Sequence, residues 1–111
     1  MEARAEAKYV RISPRKVHFI CREISGLQVD DAIDLLRLTP KKGARLLEKV
    51  LKSAVANAEN NFGLDREELF VKSSYANDAP RMKRFRPKAK GAAYPILKRL
   101  SHIGVVVCEK E

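Results

Sequence analysis

Between Ala79 and Cys108 the chain has no aspartate or glutamate, although eight lysines and arginines fall there. The deficit is local, because the whole 111-residue chain has 14 acids against 23 lysines and arginines, a net charge of +9. The segment accounts for +8 of it, and the remaining residues, with fifteen bases and fourteen acids, are nearly neutral. Tryptophan is absent and aromatics reach only 6%, so any core has to be aliphatic and alanine-rich. The hydrophobic fraction of 45% excludes a chain too polar to bury one. With two cysteines there is no disulfide framework, and Cys21 and Cys108 read as small core residues. No apolar run approaches the roughly 18 residues of a membrane span. The opening Met1-Glu2-Ala3-Arg4-Ala5-Glu6 lacks the apolar region of a signal peptide. A cytoplasmic location without a membrane partner is therefore expected.

Patterns that carry chemistry are missing as well. His18 and Cys21 share a helix at i, i+3, and His102 and Cys108 share a strand face roughly 20 Å apart. Zinc holds its ligands at about 2.0 to 2.3 Å, so these four cannot complete one site, and no metal is expected. There is no acid pair, nucleophile-with-base arrangement or phosphate-binding glycine loop. The expectation is a chain that is not an enzyme and has neither a cofactor nor a small-molecule substrate.

What is present reads as α+β. Residues 2–12 alternate strictly, with Ala3, Ala5, Ala7 and Tyr9 on one side and Glu2, Arg4, Glu6 and Lys8 on the other, which predicts a half-buried strand lying close under helices. Ser13-Pro14 predicts a helix start with Ser13 as its cap. Val17, Ile20, Cys21 and Ile24 then form one apolar stripe, ended by Gly26. A second helix is expected over 29–38, buried through Ala32, Ile33, Leu35 and Leu36, with Asp30 and Asp31 at the positive end of its dipole and a poor cap near Gln28. Thr39-Pro40 repeats the cap-plus-proline signal before the longest helix, about 41–60. Its stripe is Ala44, Leu47, Val50, Leu51, Ala54, Val55 and Ala58, and Glu48 is spaced to pair with Lys52. Asn57, Asn60 and Asn61 either weaken this helix toward its end or bind a ligand.

After a solvated acidic loop at 65–68, strands are expected at 69–75 and 103–108, so three helices cover one face of a small, mainly antiparallel, three-stranded sheet. The basic segment lies between two strands and is therefore the arms and tip of a long, protruding β-hairpin turned at Pro87 and Gly91. About ten extended residues per arm reach some 30 Å, beyond the roughly 13 Å radius of gyration of a compact domain this long. The chain is expected to be one domain over 1–111, with a globular part about 1–76 and 103–111 and the hairpin about 77–102. A ribbon of like charges calls for an anionic surrounding, which nucleic acid supplies. Met82, Phe85 and Tyr94 either touch bases and sugars or pack across the ribbon.

Three stretches carry a resemblance that covers essentially the whole chain. They are Tyr9-Val10-Arg11-Ile12-Ser13-Pro14-Arg15-Lys16-Val17, then Ser53-Ala54-Val55-Ala56-Asn57-Ala58-Glu59-Asn60-Asn61, and, in the hairpin, Pro87-Lys88-Ala89-Lys90-Gly91 followed by Lys98-Arg99-Leu100-Ser101-His102-Ile103. The sequence resembles the family of the twenty-second protein of the bacterial large ribosomal subunit. It departs from that pattern in having Lys88 where arginine is usual, Ala92 where a basic or polar residue is usual, and an irregular Tyr94-Pro95.

The resemblance implies a structural protein that binds 23S-type rRNA, contacts neighbouring large-subunit proteins, supports subunit assembly and lines the nascent-peptide exit tunnel with its hairpin. It also implies that the tip, Arg86, Pro87, Lys88, Ala89, Lys90 and Gly91, approaches the nascent peptide at the tunnel constriction, near where macrolides bind. The residues expected to bind rRNA are Arg11, Ser13, Arg15, Lys16, Arg81, Lys83, Arg84, Arg86, Lys88, Lys90, Lys98, Arg99 and His102. A non-ribosomal architectural module using a β-ribbon is the alternative that the charge pattern alone allows.

Overall fold

A computed structural model describes residues 2–78, 82–87, 93–98 and 100–109, with 82–87 and 93–98 described by their backbone. The chain runs β1 (Glu2–Val10), α1 (Pro14–Ile24), α2 (Val29–Leu38), α3 (Lys42–Phe62), a short 3₁₀ turn (Arg66–Glu68), β2 (Leu69–Asp78), β3 (Met82–Pro87), β4 (Ala93–Lys98) and β5 (Ser101–Glu109). The expected α+β class is what forms. β5 lies between β1 and β2 in an antiparallel three-stranded sheet, and β3 and β4 form a separate two-stranded antiparallel ribbon.

Alternation along the strands decides which side meets the helices. Ala3, Val107 and Val71 make one cross-strand row and Ala7, Ile103 and Ala76 another, and both rows lie in or against the aliphatic core. α3 covers β1 and β5, α1 covers β2, and α2 packs on α3. The alanines of β1 meet a helix whose own facing row includes the buried Ala54 and Ala58, and short side chains on both sides let the two backbones come close. Asn57 uses that proximity, its side-chain amide donating to the Arg4 carbonyl at 2.9 Å. It ties helix to strand, whereas the sequence left it between helix-weakening and ligand-binding roles.

The predicted stripes of α1 and α3 are buried as expected. Four local expectations are corrected. Tyr9 is not on the inner face, because β1 carries a bulge between Ala7 and Val10 that puts Tyr9 at φ 56° and leaves it 58% exposed. Val10 packs against the core instead. Gln28 is a working cap, its side-chain oxygen accepting the Asp30 N–H at 2.9 Å. Thr39 closes α2 instead of opening α3, since its hydroxyl donates to the Leu35 carbonyl at 2.8 Å and α3 starts only at Lys42. Ser13 occupies the cap position of α1, but its side chain makes no capping hydrogen bond.

On the sheet's other, largely exposed face, one side chain crosses the central strand. Gly104 on β5 is opposite Glu6 on β1 and Tyr75 on β2, and the Tyr75 ring lies directly over it. A Cβ at position 104 would stand 2.2 Å from the ring's Cζ. The missing side chain lets the ring cross the central strand and its hydroxyl donate to the Glu6 carboxylate. That carboxylate, accepting the phenolic proton, raises the Tyr75 pKa. Farther along β1, Lys72 pairs with Glu2.

β2 stays paired with β5 as far as Asp78 opposite Ser101. The ribbon then continues with Met82 opposite Lys98 and ends with Pro87 opposite Ala93. The expected arms thus form as two successive pairings. The molecule extends over 63 × 27 × 17 Å with a radius of gyration of 17.1 Å, against roughly 13 Å for a compact chain of this length.

Candidate nucleic-acid interface

The ribbon leaves the sheet where β5 begins, and hydrogen bonds fix that point to the segment entering α1. The buried Ser101 hydroxyl donates to the Ile12 carbonyl at 2.5 Å. His102 accepts the Tyr9 N–H on Nδ1 at 3.2 Å, and its ring meets the Tyr9 ring edge-on with centroids 4.8 Å apart. The bulge in β1 makes these contacts possible by turning Tyr9 away from the core. Residues 9–13 are therefore fastened beside the root of the basic ribbon, and the two charged regions occupy one end of the molecule.

α3 brings further cations there. Gly43, in its first turn, is buried against α1, where an added Cβ would stand 3.1 Å from Cδ1 of Ile20 and 3.4 Å from Cδ1 of Ile12. The close approach puts Lys41 and Lys42 beside Arg11 and Lys16, and the Lys42 ammonium donates to the Arg11 carbonyl at 2.9 Å. Neither α1 nor α3 has an acid in its first turn or a side-chain capping bond. Lysines and arginines at helix starts oppose the helix dipole, a penalty that a phosphate between them removes.

The acids gather elsewhere. Asp30 and Asp31 lie in the first turn of α2, and beside it Asp65 caps the 3₁₀ turn that contains Glu67 and Glu68. The Arg66 guanidinium, 2.7 Å from Asp30, holds that carboxyl below its ordinary pKa. On the outer side of α2 and α3, Arg37 donates to Glu48 at 3.0 Å, with Lys52 at 3.3 Å as the expected i, i+4 partner. Arg37, more than Lys52, keeps the Glu48 carboxyl below the usual range. Asp30 and Glu48 are thus paired with cations, whereas the first turns of α1 and α3 carry no acid to balance the lysines and arginines there.

Of the residues expected to bind RNA, Arg11, Arg15 and Lys16 are exposed together at the start of α1, with Ser13 half-buried among them. His102 is half-buried at the ribbon root and already holds Tyr9. Lys83, Arg84, Arg86 and Pro87 lie on β3 and Lys98 on β4. Arg81, Lys88, Ala89, Lys90, Gly91 and Arg99 lie outside the described residues. Lys41 and Lys42 were missed as members of this surface, although their position before an acid-free first turn containing a glycine was a usable signal. Among the described residues no three of His, Cys, Asp and Glu are grouped to hold a metal ion, and no helix is long and apolar enough to cross a membrane.

A family model described as Ribosomal protein L22p/L17e matches residues 5–108. The chain belongs to that family. It is 72% identical over 111 residues to the "Large ribosomal subunit protein uL22" of Finegoldia magna, covering 100% of this chain and 99% of that protein. A protein of the same name from a Thermotoga species is 56% identical over 110 residues, which cover 99% of this chain and 69% of that protein. As an L22p/L17e family member the chain is a structural constituent of the large ribosomal subunit, located in the cytoplasmic ribosome, and not an enzyme. The match removes the reason for reading the basic ribbon as part of a non-ribosomal architectural module.

Proposed function

We propose that the chain binds 23S-type rRNA through one continuous cationic end and sends its ribbon into the subunit to line the nascent-peptide exit tunnel. The observation that carries this reading is the Ser101 to Ile12 hydrogen bond, with its neighbour from Tyr9 to His102, because together they fix the basic start of α1 against the root of the basic ribbon. Arg11, Ser13, Arg15, Lys16 and His102 then serve as the RNA contacts of the globular part. Arg81, Lys83, Arg84, Arg86, Lys88, Lys90, Lys98 and Arg99 serve as those of the hairpin. On this reading 1–111 acts as one domain, with its globular part at about 1–76 and 103–111 held at the subunit surface near the tunnel exit. Residues 86–91 approach the constriction, where the nascent peptide passes and macrolides bind nearby. Neighbouring large-subunit proteins complete the surroundings, and neutralising the rRNA backbone is how the chain supports assembly.

Counterion release makes the electrostatic part measurable, because log affinity falls with log salt by about 0.7 to 0.9 per neutralised phosphate. Filter binding of the full chain to 23S-type rRNA should show a steep slope that becomes shallower when Arg15 and Lys16 are replaced by glutamine. Replacing about 83–93 with an Asn-Gly turn should leave the globular part folded and still incorporated into subunits, as measured by mass spectrometry of purified particles, while altering the macrolide response. A folded, soluble, shortened chain that is absent from the subunits would make the hairpin the anchor and overturn this division of labour.

A further inference from the structure

Where α1 and α3 begin, the surface sinks into a pocket of about 530 Å³. Its floor is apolar, made by Ile12 and Ile20, 8% and 2% exposed, with Gly43 between them. Its rim is cationic, supplied by Arg11, Lys16, Lys41 and Lys42, and no acid lines it. Phe19 forms one wall and is 64% exposed, with the Lys41 ammonium 5.7 Å from the ring centroid. That distance is close to the limit of about 6 Å for a cation–π contact, so Lys41 is only loosely engaged with the ring. An exposed aromatic face, an apolar floor and a rim of positive charge match a ligand that is flat and apolar in one part and anionic in another. Pockets of some 300 to 1,000 Å³ suit small molecules of nucleotide size.

Resting on the RNA-binding reading above, we propose that this pocket receives one unstacked nucleotide of the bound RNA. Its base lies against Phe19 over the apolar floor, and its phosphate takes the ammonium groups of Lys41 and Lys16. Single-stranded bases splayed from loops and bulges are recognised in this way, by an aromatic face with cations holding the backbone. Phosphate contact alone leaves the exposed Phe19 ring with only the loosely held Lys41 ammonium, whereas a base would stack on it.

The test uses the full-length chain at low salt, with adenosine 5′-monophosphate and ribose 5-phosphate as probes in an NMR titration. The nucleotide should shift the Phe19 ring and the amides of Lys41 and Gly43, and its base protons should move upfield. Ribose 5-phosphate should perturb only the rim, and weakly. Phe19→Ala, at an exposed position, should preserve the melting temperature and weaken nucleotide binding at least about fivefold, the low end for a base stacked on an aromatic. Equal binding of the two probes, or no loss in Phe19→Ala, overturns the proposal. Shifts of the same amides by a polyglutamate peptide with the nucleotide silent also overturn it, assigning the pocket to an acidic protein segment. Filter binding to 23S-type rRNA, run in parallel, separates the two readings: a chain that binds rRNA while its pocket ignores the nucleotide refutes this inference alone, and a chain that binds neither refutes the RNA reading as well.

Discussion

Gly104→Ala should destabilise this protein for a reason that lies across the sheet and not in the glycine's own backbone. The added Cβ would stand 2.2 Å from Cζ, 2.3 Å from the hydroxyl and 2.5 Å from Cε1 of Tyr75, all too close to keep, so the ring has to lift. Lifting breaks the hydrogen bond to Glu6, and bonds to charged groups contribute about 1.5 kcal/mol at the low end. It also uncovers ring and strand surface; about 60 Å² at roughly 25 cal/mol per Å² adds about 1.5 kcal/mol. Alanine offsets about 0.5 to 1 kcal/mol by restricting the unfolded chain. The net loss is about 2 kcal/mol, which lowers the melting temperature of a chain this size by roughly 10 °C. Thermal and urea unfolding of Gly104→Ala alone and combined with Tyr75→Ser separates the causes, because the alanine should be neutral or stabilising once the ring is gone. A penalty of the same size in both backgrounds would show that Tyr75 is not what excludes a side chain at 104.

Leu47→Ala or Leu51→Ala removes a side chain that is 0% exposed, and each should cost about 2 to 5 kcal/mol in urea unfolding. Glu48 contributes stability with a definite pH window. Its carboxyl pKa is depressed by Arg37 and Lys52, so the stabilisation is present above the ordinary carboxylate pKa and disappears as pH falls through the lower folded value. Glu48→Gln should therefore lose at most about 1 kcal/mol near neutral pH, and its stability should converge with the parent's as pH falls below the depressed folded value of the Glu48 carboxyl. Tyr75 has the opposite behaviour: its pKa is raised, so its bond to Glu6 persists below the ordinary tyrosine value and its contribution is lost as pH climbs through the raised one. Tyr75→Phe should erase that alkaline loss in a pH-dependent melting series.

Much of this molecule is written in local patterns. Strict alternation in residues 2–8 marks a half-buried strand, and the spacing of Val17, Ile20, Cys21 and Ile24 marks one helix face, because side-chain periods of 2 and 3.6 follow from backbone geometry alone. The acid-free segment and its flanking apolar strands likewise announce a basic hairpin, since charge and its placement are properties of the chain. Tyr9 continues the alternation and still turns outward, because the bulge in β1 is set by how β1 meets β5 at Ser101. Thr39 carries the signal of a helix start and instead finishes α2, its hydroxyl taking a carbonyl within reach one turn back. Gly104 looks like a weakness in a central strand until Tyr75 is seen lying over it, a contact between residues far apart in sequence. The pocket beside Phe19 arises in the same way. Lys16 and Lys41 are ordinary surface cations in the linear chain, and they share one site only because Gly43 lets two helix starts close on each other. Periodicity and charge are local and legible in sequence, whereas bulges, close approaches and pockets depend on which distant backbones meet, and tertiary packing decides that.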